Sequence, residues 1–340
     1  MIEIDGSIGG GQLLRTALAL SVITQEPIRI TDIRGGRSNP GLRPQHLTAV
    51  RLLADISEAS VSEVEVGSAE LEFDPAPPDG GSYEATIGTA GSITLLFDTA
   101  LPLATVIDEP LTIHAQGGTD VKWSPPMDFF RYVKLPLLRR AGLQAAVDVD
   151  HWGFYPAGGG EARLHLAPTT LRSIQLPGRG ELDGARLYSK CSSTLADRDV
   201  AVRQLEAAVE RLSGSGVAIN EQSIATARTD SPGSAIVIRL DCTDSIAGFS
   251  ALGERGKPAE DVGESAADRV RAFVDEVGAV DRYLGDQLIV FLALTDGTVS
   301  VPELTEHIST SLELIEAFDL SVEVDESGAA PRLISRSASL

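Results

Sequence analysis

Arginines and a histidine gather in one short loop near the start of the chain. The segment IRGGRSNPGLRPQHL is stiffened by glycine and proline, and its polar side chains are Arg34, Arg37, Arg43, Gln45 and His46. A guanidinium group offers a planar fork of donors that matches the oxygens of a phosphate. This loop is therefore predicted to bind phosphate rather than to be a solvated connection only.

A glycine-rich turn lies just before this loop. Gly9-Gly10-Gly11-Gln12 leads into the apolar run LLRTALAL, which is typical of a strand that turns into a helix. Glycine allows backbone N–H groups to approach an anion at a helix N-terminus, where the helix dipole also favours negative charge. By itself, however, this glycine run is equally consistent with a tight turn that binds no ligand.

Two further stiff loops could contact a ligand. GGTDVKWSPPMDF contains a proline pair, Pro125-Pro126, that could flank a base, and GFYPAGGGE contains an Ala-Gly-Gly-Gly turn that admits a close approach. Neither loop is specific by itself.

His307 is the histidine whose setting points most directly to chemistry. It precedes the helical pattern ISTSLELIEAF, and Thr305 is a candidate N-cap. The positive end of a helix dipole disfavours a protonated imidazole, so a histidine there can act as a nucleophile. The alternative is an exposed residue in a first turn with no chemical role. His114 and His165 alternate with apolar neighbours, as structural residues of strands do.

Composition excludes several classes of protein. The 340 residues contain 49 acidic and 28 basic side chains, a net charge of -21, and 43% are hydrophobic. This apolar content excludes a disordered chain, and no apolar run reaches the roughly 18 residues of a membrane span. Acids at Glu3 and Asp5, where a signal peptide would be basic, lead us to expect a cytoplasmic protein. Two cysteines, Cys191 and Cys242, exclude a disulfide scaffold or a four-cysteine zinc site.

The charge is unevenly distributed. Residues 1–51 contain six arginines and four acids, a local net charge of +2 within a strongly acidic protein. A cationic segment in such a chain indicates a polyanionic ligand, such as a nucleotide or an RNA end. The whole chain has four lysines and 24 arginines. Excess acid with scarce lysine is typical of a salt-adapted surface, and we expect screening by salt to relieve the repulsion between its charges.

The elements that must position these residues are repeated along the chain. Gly91-Ser92-Ile93-Thr94 and the run LLFDTALPL reproduce, 82 residues later, the layout of the first glycine-rich turn and its helix. A second helical pattern follows each copy after 34 residues. A third copy begins at Asp286-Gln287 and includes the helix of His307. The pattern predicts an α/β fold of three similar units, each with two helices backed by a sheet.

A stretch of different texture lies between the second and third copies. Within residues 180–273, strand patterns such as SAIVIRLDCT alternate with amphipathic helices such as ADRDVAVRQLEAAVERL. We predict a small inserted α/β domain here, and a large domain formed by residues 1–179 and 274–340. The GKP at Gly256 lacks the other residues of a phosphate-binding Walker loop, so no nucleotide site is expected there.

Taken together, the motifs resemble those of the RNA 3'-terminal phosphate cyclases. They occur in the family's order: DG, GGGQLLRTALALS, IRGGRSNPGLRPQHLTAV, AGSITLL, GGTDVKWSPPMDF, GFYPAGGG, YLGDQL and TEHISTSLELIE. The resemblance covers nearly the whole chain. It implies a large domain of three repeated units, each with two helices on a four-stranded sheet, and a small inserted α/β domain.

The resemblance also implies an activity. RNA 3'-terminal phosphate would become a 2',3'-cyclic phosphodiester while ATP is cleaved to AMP and pyrophosphate. The expected intermediates are a histidine–AMP phosphoramidate and an RNA 3'-phosphate activated by AMP. The expected partners are ATP, an RNA with a 3'-phosphate, and Mg²⁺ or Mn²⁺; the sequence does not indicate the oligomeric state.

Site residues follow from the matching positions. The resemblance places the nucleophile at His307. It places the RNA end or the ATP phosphates at Arg15, Arg34, Arg37, Gln45 and His46. It places ATP, including its adenosine, at Gln12, Pro125, Pro126, Tyr283, Asp286 and Gln287.

The chain departs from the family pattern at three points. Its first loop is two residues shorter than the usual one and lacks the Glu that helps bind metal and ATP, so the metal ligands are left unassigned. Asp98 stands where Gln is common, and by residue type it is a candidate to replace the missing negative charge. Ser311 stands where Asn often follows the Thr of the motif.

Two other functions stay open at this stage. One is a non-catalytic relative that binds RNA in ribosome assembly, as in the eukaryotic branch that lacks the histidine; His307 argues against it and the shortened loop argues for it. The other is a general acidic α/β sugar-phosphate transferase, which explains the arginines but not YLGDQL with TEHISTS. Detection of AMP bound to the protein would separate the enzyme from both.

Overall fold

Three units with the same strand order form most of the molecule. The computed structural model describes residues 1–336, and within them it contains four four-stranded sheets. The first unit consists of β1 (Ile2–Asp5), α1 (Gly11–Thr24), β2 (Ile28–Thr31), α2 (Pro44–Ile56), β3 (Ser60–Val61) and β4 (Leu71–Asp74). Its strands lie in the order β1-β2-β4-β3, with β1 and β2 parallel and the other pairs antiparallel.

The second unit repeats this arrangement. It consists of β5 (Gly81–Thr86), α3 (Ile93–Ala100), β6 (Leu111–Gly117), α4 (Met127–Phe129), α5 (Leu135–Arg140), β7 (Ala145–His151) and β8 (Gly160–Leu166). One π-helical segment, Phe130–Lys134, joins α4 to α5. The strand order β5-β6-β8-β7 is that of the first unit.

An inserted segment interrupts the third unit after its first strand, β9 (Ile174–Leu176). The insertion contains β10 (Leu182–Ser192), α6 (Val200–Leu212), β11 (Ile219–Ala227), β12 (Ser234–Cys242), β13 (Ile246–Leu252) and α7 (Ala259–Asp275). The unit then continues with α8 (Arg282–Ala293), β14 (Gly297–Ser300), α9 (Glu306–Glu316), β15 (Glu323–Asp325) and β16 (Arg332–Ser335). Its order is β9-β14-β16-β15, so the predicted α/β class is confirmed.

The third unit begins earlier than its motifs indicated. β9 has three residues and pairs in parallel with β14, which lies more than a hundred residues later. The insertion therefore falls within the third unit and not between the second and third. A three-residue strand is too short to show a periodic pattern, and its partner is remote in sequence, so the pattern alone could not locate it.

Two hydrophobic cores accompany this organisation. The larger core is shared by the helices and sheets of all three units and also includes Val237 and Ile246 from the insertion. The smaller core lies between the sheet of the insertion and its helices α6 and α7. Residues 180–273 remain our proposed bounds for an inserted domain.

Local sequence explains where the functional helices begin. α1 starts directly after Gly10 with no side-chain cap, which leaves its first N–H groups open to a ligand. α9 starts after Thr305, whose hydroxyl oxygen accepts a hydrogen bond of 3.0 Å from the N–H of Ile308, as the sequence predicted. Within residues 1–336, no helix has both the length and the apolar character that crossing a bilayer requires.

A close approach between α6 and α7 gives a test of the inserted core. A Cβ atom at Gly263 on α7 would collide with the backbone carbonyl oxygen of Gln204 on α6. Alanine in a helix normally gains about 1 kcal/mol over glycine, but overpacking against backbone costs about 1–3 kcal/mol. We expect Gly263→Ala to lower the free energy of unfolding in urea.

Gly178→Ala is the matched control, because a Cβ there meets open space. A Gly263→Ala protein as stable as the wild type would show that α6 and α7 are farther apart than described.

Candidate active site

The ring of His46 lies against the glycine-rich turn. His46 is the third residue of α2 and is 8% exposed. Its Nδ1 accepts a hydrogen bond of 3.1 Å from the N–H of Arg43, so the proton of a neutral ring is on Nε2. A side chain at Gly11 would overlap Nε2. The absence of a side chain at Gly11 therefore lets this N–H group reach the N-terminus of α1.

The imidazole of His46 is held neutral. Burial, together with the positive charges of Arg15, Arg34 and Arg43, lowers its pKa to about 3. At neutral pH the ring can donate one hydrogen bond to an anion but cannot supply a positive charge.

Two guanidinium groups flank the same helix end. A Cβ at Gly11 would lie 3.1 Å from Nη1 of Arg15, and a Cβ at Gly10 would lie 3.1 Å from Nη2 of Arg37. In residues 1–336 neither side chain has an ion pair or a hydrogen bond to protein. Burial lowers the pKa of Arg15 to about 10, partly opposed by Asp98, so Arg15 stays charged at neutral pH. The turn, both arginines and His46 form a pocket suited to a phosphate.

Arg34 and Gln45 have structural partners. Nη1 of Arg34 donates to the carbonyl oxygens of Asn39 and Gly41, at 2.7 and 3.0 Å, and so braces the loop. Oε1 of Gln45 accepts a hydrogen bond of 3.0 Å from the N–H of Ser92 in the second unit. Their contacts with a phosphate stay predictions, and a ligand would have to use their remaining donors.

The third unit contacts the glycine-rich turn through α9. The hydroxyl of Thr310 donates to the carbonyl oxygen of Ile8 at 3.4 Å, and Nε2 of Gln12 donates to Oγ of Ser311 at 3.4 Å. His307 is three residues before Thr310, which places both on one face of the helix. The imidazole of His307 is exposed. It therefore lies one turn of α9 before the hydrogen bond between Thr310 and Ile8.

A buried carboxylate accompanies His307. Oδ1 of Asp286 on α8 accepts a hydrogen bond of 2.6 Å from the hydroxyl of Thr305, the cap of α9. Burial raises the pKa of Asp286 above its ordinary value, while the hydrogen bond from Thr305 and the nearby His307 oppose that rise. The same helix carries Tyr283, which is exposed, and Gln287, whose buried Oε1 has no hydrogen-bond partner in residues 1–336.

The proline pair is joined to the first unit by a chain of hydrogen bonds. The hydroxyl of Thr94 donates to the carbonyl oxygen of Pro125 at 2.8 Å and lies 2.8 Å from the hydroxyl of Ser92, whose N–H binds Gln45. Pro126 directly precedes α4. The connection of this loop to α8 is less direct and passes through the insertion.

Asp281, which the sequence analysis missed, connects α8 to the insertion and, through it, to the loop of the proline pair. Asp281 caps α8 by accepting hydrogen bonds from the N–H groups of Tyr283 and Leu284, and it also accepts one of 3.0 Å from Gly248 of β13. A Cβ at Gly248 would lie 2.7 Å from the ring of Phe129 on α4, so these elements meet closely. Burial raises the pKa of Asp281 to about 6 despite its three N–H partners. Its position just before YLGDQL was the one available signal.

Asp98 does not offer a free negative charge. It forms a largely buried ion pair of 2.7 Å with Lys134, so the suggestion that it replaces the missing loop glutamate is not supported. Lys190 is buried in the same way, 3.0 Å from both Asp120 and Asp128. The chain has only four lysines, and Lys134 and Lys190 lie within apolar sequence. That position was the sequence signal that these two lysines form buried ion pairs.

The residues present do not fit a divalent metal held by the protein alone. Within residues 1–336 no three side chains of His, Cys, Asp or Glu gather as a metal would require. The pocket at α1 is lined by cations and N–H groups, which attract phosphate oxygens rather than a metal ion.

Comparison with known proteins gives a consistent result. The family model described as RNA 3'-terminal phosphate cyclase matches residues 7–324. A protein of that name from Halobacterium salinarum is 46% identical over 336 residues, which cover 96% of this chain and 97% of the relative. Proteins of the same name from Pyrococcus furiosus and Desulfurococcus amylolyticus are 41% and 40% identical, covering 94% and 98% of this chain and 93% and 97% of theirs.

Protonation of His46 is expected to destabilise the fold as the pH falls. Its pKa is about 3 in the folded chain and about 6.5 when unfolded, so the unfolded chain binds the proton first. From pH 7 to pH 5 this linkage should remove about 2 kcal/mol from the free energy of unfolding. Urea unfolding of the wild type and His46→Asn at both pH values measures it.

His46→Asn cannot titrate in this range, so its stability should fall less between the two pH values. An equal fall in both proteins would contradict a buried, neutral His46.

Proposed function

Because this chain belongs to the RNA 3'-terminal phosphate cyclase family, we propose that it closes RNA 3'-phosphate ends through an adenylated His307. One observation supports this mechanism above others. Through Thr310, α9 contacts the turn that precedes α1, which brings the first turn of α9 with His307 near the helix end that we propose binds phosphate. ATP is the proposed source of the adenylyl group.

The first step is attack of His307 on the α-phosphorus of ATP. The lone pair of an imidazole nitrogen forms a P–N bond, and the bond from the α-phosphorus to the bridging oxygen breaks. Pyrophosphate departs with that electron pair. Arg15 and Arg37, which have no protein partners in the described chain, stabilise the negative charge that grows on the leaving group. Asp286 stabilises the positive charge that develops on the imidazole.

The second step transfers AMP to the RNA. An oxygen of the RNA 3'-phosphate attacks the phosphorus of the histidine adduct, the P–N bond breaks, and His307 is released. The RNA end now carries an anhydride whose AMP is a good leaving group. In the third step the 2'-hydroxyl gives its proton to solvent and attacks the 3'-phosphorus, the anhydride P–O bond breaks, AMP leaves with its electron pair, and the ring closes. The ribose itself holds these atoms together, which removes most of the entropic cost.

Adenosine is assigned to the start of α8 and the proline pair. Tyr283 offers an exposed ring, and Pro125 is half-buried while Pro126 is buried, so of the two prolines Pro125 is the one open to a base. The unpartnered Oε1 of Gln287 can accept a hydrogen bond from the amino group of adenine. Gln12, at the start of α1, is proposed to contact the phosphates.

The divalent ion is proposed to enter as part of the nucleotide substrate, as Mg²⁺ or Mn²⁺ bound to ATP. This agrees with the lack of a protein cluster of metal ligands in residues 1–336. The shortened glycine-rich turn, which lacks an acidic residue, favours the same view.

The lack of an acidic residue in the shortened glycine-rich turn also supports a second candidate function. A relative that binds RNA ends without adenylation, acting in ribosome assembly, needs the arginine pocket but no metal or nucleophile. The presence of His307 favours the enzyme, because a protein that only binds RNA ends needs no nucleophile.

Adenylation of the protein tests the two candidates directly. The purified chain is incubated with ATP labelled at the α-phosphate and with Mg²⁺ or Mn²⁺, then denatured and treated with acid or alkali. We expect a label that is lost in acid and stable in alkali, and its loss in His307→Ala because the P–N bond cannot form.

His151→Ala is the matched control, since this histidine is also exposed but ends β7 in another unit. Equal labelling of His307→Ala and wild type would exclude His307 as the nucleophile. No label in the wild type with either metal would favour the RNA-binding function.

A further inference from the structure

Trp123 is a bulky aromatic residue held in an unusual state. Its side chain is 95% exposed, and its φ of +62° lies in the left-handed region that bulky residues rarely adopt. An indole exposed to water adds no favourable free energy of burial to folding, and a positive φ at a bulky residue costs free energy. Such a combination points to a role in binding.

The loop around Trp123 is firmly anchored. The hydroxyl of Ser124 donates to the carbonyl oxygen of Val121 at 2.9 Å, and Lys122 forms a 2.9 Å ion pair with Glu254 of the insertion. The N–H of Met127 donates to the carbonyl oxygen of Thr119 at 3.0 Å. Two hydrogen bonds and one exposed ion pair therefore hold the loop that carries the indole.

A second exposed aromatic stands on the adjoining loop. Tyr155 is 65% exposed, and its loop is tied to that of Trp123 because the N–H groups of Thr119 and Asp120 both donate to the carbonyl oxygen of Gly153. Backbone hydrogen bonds thus fix the two loops that carry these rings side by side.

Both loops border the candidate active site. A Cβ at Gly158, on the loop of Tyr155, would lie 3.0 Å from Cα of Ala90. Ala90 is two residues from Ser92, which binds Gln45. Trp123 is two residues from Pro125, which belongs to the same chain of hydrogen bonds. The aromatic pair therefore flanks the second-unit side of the phosphate pocket.

We propose that Trp123 and Tyr155 form a platform on which unpaired bases preceding the 3'-terminal nucleotide stack. This rests on the proposed function and specifies its substrate as a single-stranded RNA end. Base stacking on aromatic rings is tolerant of sequence and does not depend on charge. In a chain of net charge -21 it supplies affinity that contacts to the RNA backbone phosphates would lose at high salt.

Equilibrium binding without ATP tests the platform separately from the chemistry. The ligands are a single-stranded RNA hexamer with a 3'-phosphate and a nucleoside 3'-monophosphate, which lacks the preceding bases. We expect Trp123→Ala and Tyr155→Ala each to weaken hexamer binding about 5- to 150-fold and to leave the monophosphate unchanged. Trp123→Phe should retain most of the affinity, and the fold loss of Trp123→Ala should be the same at low and high salt.

Ile224→Ala, which removes an exposed apolar side chain from β11, is the control and should bind as the wild type does. Wild-type affinity of both alanine variants for the hexamer would overturn the proposal. An equal loss for hexamer and monophosphate would overturn it too, because that marks collapse of the pocket. Failure of the chain to become adenylated, with hexamer binding still dependent on Trp123, would refute the cyclase mechanism and leave the platform intact.

Discussion

The imidazole of His46 occupies the space that any side chain at position 11 would need, and the rest of the site depends on this exclusion. Because residue 11 is glycine, α2 can bring a neutral N–H donor to the N-terminus of α1. The same close packing brings the guanidinium groups of Arg15 and Arg37 to that helix end. The third unit reaches the same region through Thr310 of α9, one helical turn after His307, whose hydroxyl donates to the carbonyl oxygen of Ile8. The first and third units therefore meet close to this helix end.

Positive charge is used sparingly in this acidic chain. Lys134 and Lys190 are buried against carboxylates, where they hold elements together, whereas Arg15 and Arg37 have no carboxylate partner in the described residues. Arg15 is partly buried, and because water screens it less than the exposed Arg37, it attracts a polyphosphate more strongly. The net charge of -21 repels a polyphosphate at long range, so a phosphate site in this chain depends on its local cations.

Much of this arrangement could be predicted because it depends on local sequence. Glycine-containing turns before apolar runs indicated the helices of the first two units, the run after Asp286-Gln287 indicated a helix of the third, and Thr305 indicated the start of α9. What could not be predicted depends on partners remote in sequence. β9 is defined by β14, Asp98 by Lys134, and Asp281 by Gly248 of the insertion. Arg34 matched a phosphate-binding position, yet its Nη1 is used by two carbonyl groups of its own loop, which leaves only its other donors for a ligand. Residue type gave the chemistry available to each side chain, and only the fold decided which partner it has.

A crystal structure with an ATP analogue that carries a methylene group between the α- and β-phosphorus atoms would test the central claim most directly. Our account predicts that the β- and γ-phosphates lie at the N-terminus of α1, against Arg15, Arg37 and His46. The α-phosphorus should then lie about 3–3.5 Å from an imidazole nitrogen of His307, in line with the bond to the methylene group. An α-phosphorus beyond the reach of His307, or a nucleotide bound away from the glycine-rich turn, would contradict it.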